Sequence, residues 1–130
     1  MVTIRRTIMV LGIDVGFSLA CLVLIAGDVI SGLVKAFSTN SFTSSAMRQG
    51  LWHKAGTILL LMLAAGCTIA ATEIAQFPQE FAAVYVPICS YIALMEIASI
   101  IENILIINPE LDRFKILALF KQEDEDAKRN

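Results

Sequence analysis

The chain is poor in the residue types on which most protein chemistry depends. Its 130 residues include one histidine, one tryptophan and three cysteines, and only 17% are charged. A lone histidine, His53, leaves no histidine pair for a metal and no base for a serine nucleophile, so it reads as an interfacial polar residue. No nucleophile elbow, phosphate loop or metal cluster stands in the sequence. Neither catalysis nor a cofactor is therefore expected. Cys21, Cys67 and Cys89 lie inside hydrophobic blocks, without ligand spacing or a pairing logic, and read as small packing residues. The net charge is −2, with no basic stripe carrying interleaved aromatics, which excludes a nucleic-acid partner.

What fills the chain instead is apolar. Hydrophobic residues make up 57% of it and the mean hydropathy is +0.73, whereas soluble domains are nearer half apolar and about a quarter charged. The excess sits in three blocks, each near or above the roughly 20 apolar residues a bilayer core demands. These features predict an all-α integral membrane protein with three transmembrane helices. Arg5 and Arg6 before an apolar run superficially suit a signal peptide. That run continues past any cleavage-site length, so it reads as a retained first span.

In order, residues 1–7 form a basic head and 8–37 the first helix with its extension. Gly12, Gly16 and Ala20 in this segment recur every four residues, a spacing that lets helix backbones approach closely. Asp14 and Asp28 interrupt its apolar run; with a start near residue 8, Asp28 falls near an interface. Residues 38–54, rich in Ser, Thr and Asn, read as a loop, with Trp52 as an interfacial anchor. The second span is expected over 55–74, where Gly66 and Ala70 leave little bulk for lipid and suggest a helix-facing surface. A short outer loop covers 75–83, where Pro78 ends helical continuity. The third span runs over 84–107.

The third span carries the strongest physical signal. Ile92, Glu96, Ser99 and Asn103 recur at helical spacing on one face, and Glu102 borders it. Such a stripe must turn toward partner helices or water, because lipid offers no hydrogen bonds. No basic residue lies within this span, so the acids are either protonated or partnered from elsewhere. After it, Asn108, Pro109 and Glu110 make a helix start. A short amphipathic interfacial helix is expected over 108–121, then a charged disordered tail over 122–130.

Basic residues set the expected topology. Loop one has Lys35, Arg48 and Lys54, and the region after span three has Arg113, Lys115, Lys121, Lys128 and Arg129, against Arg5 and Arg6 at the start. The positive-inside rule then gives N-terminus out and C-terminus in, so residues 38–54 form a cytoplasmic loop.

Three blocks, in order, resemble the phage lysis and toxin-secretion holins, three-span bacteriophage proteins. The first is DVISG at 28–32, followed by a Ser-rich loop and RQGLWHKAG at 48–56, matching an acid, a glycine and a basic lead to a lysine: Asp28, Gly32, Arg48, Gly50 and Lys54. The second is SYIALMEIASIIENI at 90–104, and the third is Pro109 followed by a Leu-rich amphipathic end. The head and the second loop match nothing in that pattern. The resemblance implies a protein of the bacterial cytoplasmic membrane that forms homo-oligomers in the lipid bilayer and opens lesions. These release or activate a peptidoglycan-degrading endolysin, giving host lysis.

On that reading the small faces of spans one and two pack between protomers. The Glu96, Ser99 and Asn103 stripe starts paired within the oligomer and later faces the water of a lesion. Asp28 and Glu96 also admit a structural reading, as a polar clamp in which Asp28 meets Lys54 across the loop. Start of translation at Met9 would delete Arg5 and Arg6, as in holins whose longer product inhibits. Toxin export and an antiholin role stay open within the resemblance. A membrane scaffold that recruits a soluble partner through the charged tail is the alternative of another class.

Overall fold

A computed structural model describes residues 15–113. Three helices dominate: α1 (Val15–Ser38), α2 (Ser44–Glu73) and α3 (Tyr85–Ile107), with short 3-10 turns at Gln79–Val84 and Pro109–Arg113. No strand occurs among the described residues. The helices hold 24, 30 and 23 residues. At about 1.5 Å rise per residue each exceeds the roughly 30 Å hydrocarbon thickness, and all three are apolar enough to cross it. The basic head, Gly12, Asp14, the amphipathic segment past Arg113 and the charged tail lie outside the described residues.

The first connection is far shorter than the expected 38–54 loop. α1 stops because Asn40 takes a left-handed conformation (φ 53°). Ser41 N–H then donates to the Ala36 carbonyl at 3.0 Å and Asn40 N–H to that of Phe37 at 3.3 Å, the paired bonds that close a helix C-terminus. The Phe37 and Phe42 rings stack across the turn, 4.8 Å apart and 8° from parallel. Thr43 is extended and its Oγ1 accepts the Ala46 N–H at 3.2 Å, capping α2. The polar residues of this region therefore do their turn-making within 39–43. Beyond them the chain has only Gly50 to weaken a helix, at about 1 kcal/mol, and α2 runs on through Lys54.

At the far end Ile74 is extended, and Gln79 Nε2 reaches back to the Ala71 carbonyl at 2.5 Å. A side chain from the connection thus satisfies one of the bare carbonyls of the last turn. Pro78 stands just before the 3-10 turn at Gln79–Val84, so part of the expected outer loop is itself helical. After α3, Asn108 Oδ1 accepts the Glu110 N–H at 3.2 Å, and the chain enters its second 3-10 turn at Pro109.

Each helix buries one narrow stripe at helical spacing: Cys21, Ile25 and Asp28 on α1; Leu61, Ala64, Thr68 and Ala71 on α2; Tyr85, Cys89, Ile92, Glu96 and Asn103 on α3. α3 lies between the others, packing extensively on α1 and also on α2, while α1 and α2 touch little. α1 and α3 run parallel. Ser18 meets Tyr85 at 2.6 Å, the Cys21 thiol donates to the Cys89 carbonyl at 3.4 Å, and Asn103 reaches Asp28 further on. Two cysteines are thus wholly buried packing residues. Cys67 is half-buried.

The outside is as apolar as the inside. Leu19, Val23, Leu59, Met62, Leu63 and Leu94 are all exposed by more than half. A water-soluble chain does not spread so much apolar surface round its whole girth; lipid covers it here. Within this bundle the Ser18–Tyr85 hydrogen bond ties the ends of α1 and α3 together. Tyr85→Phe is expected to lower stability by about 0.5–1.5 kcal/mol, read as a lower unfolding midpoint in detergent micelles. Ser18→Ala in the same background should then add little.

Candidate functional site

The charged residues inside the helices converge on one point. Asp28 precedes the end of α1 at Ser38 by ten residues, and Lys54 follows the start of α2 at Ser44 by ten. In a tight helical hairpin this equal spacing sets the two side chains at one level, about 15 Å from the turn at 1.5 Å per residue. Lys54 Nζ pairs with Asp28 Oδ2 at 2.6 Å. The same ammonium donates to Glu96 Oε2 on α3. One lysine therefore bridges acids from both other helices.

A second layer fixes the aspartate. Asn103 Nδ2 donates to Asp28 Oδ1 at 3.2 Å and to Ser31 Oγ at 3.0 Å. Ser31 Oγ in turn donates to the Asp28 carbonyl at 3.1 Å. Gly32 borders this pair, and a Cβ there would be in ordinary contact, 3.8 Å from Asn103 Nδ2. Among the described residues no buried side-chain nitrogen or oxygen lacks a partner, as a low-dielectric interior requires.

The cluster is nearly dry but not sealed. Side-chain exposure is 3% for Glu96, 10% for Asp28 and 17% for Lys54. A groove of about 400 Å³ opens on one side, lined among others by Asp28, Gly32, Lys54, Ser99 and Asn103. On the other side a hollow of about 320 Å³ is lined by Trp52, His53 and Glu96 with their neighbours. Two acids against one cation leave a formal charge of −1. No group of three or more His, Cys, Asp or Glu able to hold a metal occurs among the described residues. The cluster's chemistry is that of an ion-pair brace.

Several expectations need adjustment. The expected pairing of Asp28 with Lys54 is present, but Lys54 stands inside α2 rather than at the mouth of a span, so the pair joins two helices instead of crossing a loop. Glu96 has a partner within the chain itself, a lysine from another helix. Of the α3 stripe, Glu96 and Asn103 are buried and Ser99 is half-buried, whereas Glu102 is exposed and stands outside the cluster. Arg48 and Gly50 are exposed on the first turns of α2.

Gly16, Ala20 and Gly66 are exposed and Ala70 is half-buried; the close approach inside the bundle uses Gly27, Cys21, Cys89, Ala64 and Ala71 instead. Ser31 went unread, although its place three residues after Asp28, on the same helical face, was a usable signal.

The chain matches the bacteriophage holin family over residues 7–114, a stretch that contains all three helices and every member of the cluster. Comparison with curated proteins and with solved structures gives no match. The bundle's lipid-facing girth and three crossing helices make this a multi-pass membrane protein. With a match of that extent, the chain belongs to the bacteriophage holin family.

Proposed function

We propose that the chain acts as a holin: it accumulates in the bacterial cytoplasmic membrane, assembles into homo-oligomers and permeabilises the bilayer, releasing or activating an endolysin. The observation that carries this reading is the Lys54 brace. An intramembrane ionisable group is costly, about 2.5–3.5 kcal/mol per charge at a helix centre on insertion scales. Here three such groups are held together, flanked by two openings. A chain built only as an anchor has no use for them.

Within one chain these polar groups satisfy each other, which leaves none of them to line a lesion. A lesion therefore needs several copies. The exposed small residues Gly16, Ala20 and Gly66 offer faces for close approach between copies. On this reading Glu96, Ser99 and Asn103 exchange their partners inside the bundle for the water of the lesion. The topology is N-terminus out and C-terminus in. The parallel course of α1 and α3 puts Lys35, Arg48 and Arg113 toward one end of the bundle, which the positive-inside rule assigns to the cytoplasm.

Induced expression in bacteria, followed with a potential-sensitive dye and a membrane-impermeant stain, tests the proposal. Abrupt depolarisation with stain entry is expected, and lysis when an endolysin is co-expressed. Intact potential and unchanged growth at confirmed membrane levels would overturn it in favour of a scaffold. Delayed lysis by a co-expressed holin would instead identify an antiholin.

A further inference from the structure

The stoichiometry of the cluster, one cation to two carboxylates, has a consequence for how the bundle is held shut. A charge without a counter-charge is expensive in low dielectric, so the −1 excess favours any arrangement in which water reaches it. The two ion pairs of Lys54 oppose that, because separating α2 from its neighbours breaks both. The other charged and titratable groups nearby do not neutralise the excess. Lys35 lines the same groove but makes neither of the cluster's ion pairs, His53 lines the opposite hollow, and Glu102 is exposed.

We propose that the Asp28–Lys54–Glu96 cluster is a latch weakened on purpose by its second carboxylate, so that the closed bundle is poised to open along α2. The inference rests on the holin reading for its biological meaning, but not for its physics. In the closed chain Lys54 ties α2 to α1 and to α3. When α2 moves away, water enters from the groove and the hollow, and the unmatched carboxylate is hydrated where it stands.

Charge counting then gives a signature that an ordinary brace does not. Neutralising either acid alone leaves a matched pair, Lys54 with Glu96 in Asp28→Asn and Lys54 with Asp28 in Glu96→Gln, with an amide still able to accept a hydrogen bond. Each single variant should close the latch more firmly. Neutralising both acids leaves Lys54 unmatched and should loosen it again. A brace in which each acid simply contributes predicts loosening at every step.

The test measures the full-length chain twice, in cells and in lipid vesicles. In cells, stain entry should slow by about fivefold or more in each single variant, the low end of a coupling between sites. It should return to the wild-type rate or faster in Asp28→Asn with Glu96→Gln. In vesicles, unfolding midpoints should rise in both single variants and fall in the double. Adding Lys54→Met to the double removes the last charge and should recover stability, which separates a charge effect from a failure to fold. A fall in midpoint for either single variant, or a double more stable than both singles, would overturn the latch. If wild type fails to permeabilise cells while the vesicle series keeps this order, the holin reading falls and the latch stands.

Discussion

Lys54→Met should cost the bundle about 3–5 kcal/mol, the range for breaking a buried ion pair by removing one partner. The substitution keeps the apolar stem and removes only the charge that two carboxylates share. Glu96 and Asp28, 3% and 10% exposed at their side chains, are then left facing each other across a space with no cation. Asp28 keeps its bond from Asn103, whereas the cluster holds no such support for Glu96 beyond Lys54. The loss falls on α2 in particular, because α1 and α2 touch little elsewhere. Loss of helical signal on heating in vesicles should come at a markedly lower temperature. The control is Arg48→Met, on an exposed turn of the same helix, where a change within about 0.5 kcal/mol is expected. Equal effects at the two positions would show that the Lys54 pairs contribute nothing to the closed bundle.

Composition alone was enough to read three apolar helices, since 57% hydrophobic residues in three blocks admit few other folds. The stripe of Glu96 and Asn103 was legible too, because helical spacing survives any uncertainty about boundaries. The Asp28–Lys54 pairing was legible too, but the sequence hid the second partner of Lys54, Glu96. Lys54 looked like a residue of a polar loop, since Ser, Thr and Asn before it mark turns. Those residues serve a single tight turn at 39–43 and a cap at Thr43. Moving the start of α2 back to Ser44 carries Lys54 into the helix, where the hairpin register sets it against Asp28. The small residues left a different question open. Glycine spacing marks a face that permits close approach but not which helix approaches. Of Gly27, Gly32, Gly50, Gly56 and Gly66 the tightest place is Gly27, where a Cβ would come within 3.3 Å of Ile100 Cδ1, while Gly66 faces open space.

That contrast between two glycines supplies the second large effect. Gly27→Leu places a branched side chain where even a Cβ is tighter than ordinary contact, and the helix backbone leaves it no other direction. The end of the Ile100 side chain must give way first, and the leucine's further atoms then press α1 away from α3, loosening the Cys21 and Ser18 contacts on the same interface. Overpacking of this kind costs about 1–3 kcal/mol, and it should appear as a lower unfolding midpoint of the single chain in dilute detergent. A Cβ at Gly66 meets nothing within 4 Å, so for Gly66→Leu the same measurement should move by less than about 0.5 kcal/mol. Its effect belongs to assembly. If Gly66 is a face on which copies pack, a leucine there holds the backbones apart, and chemical cross-linking in membranes should yield fewer oligomers at equal protein level. Gly27→Leu would lower stability first and oligomers only in proportion. A Gly66→Leu chain that cross-links as wild type does would remove that glycine from the assembly face, leaving Gly16 and Ala20 on α1 to carry it.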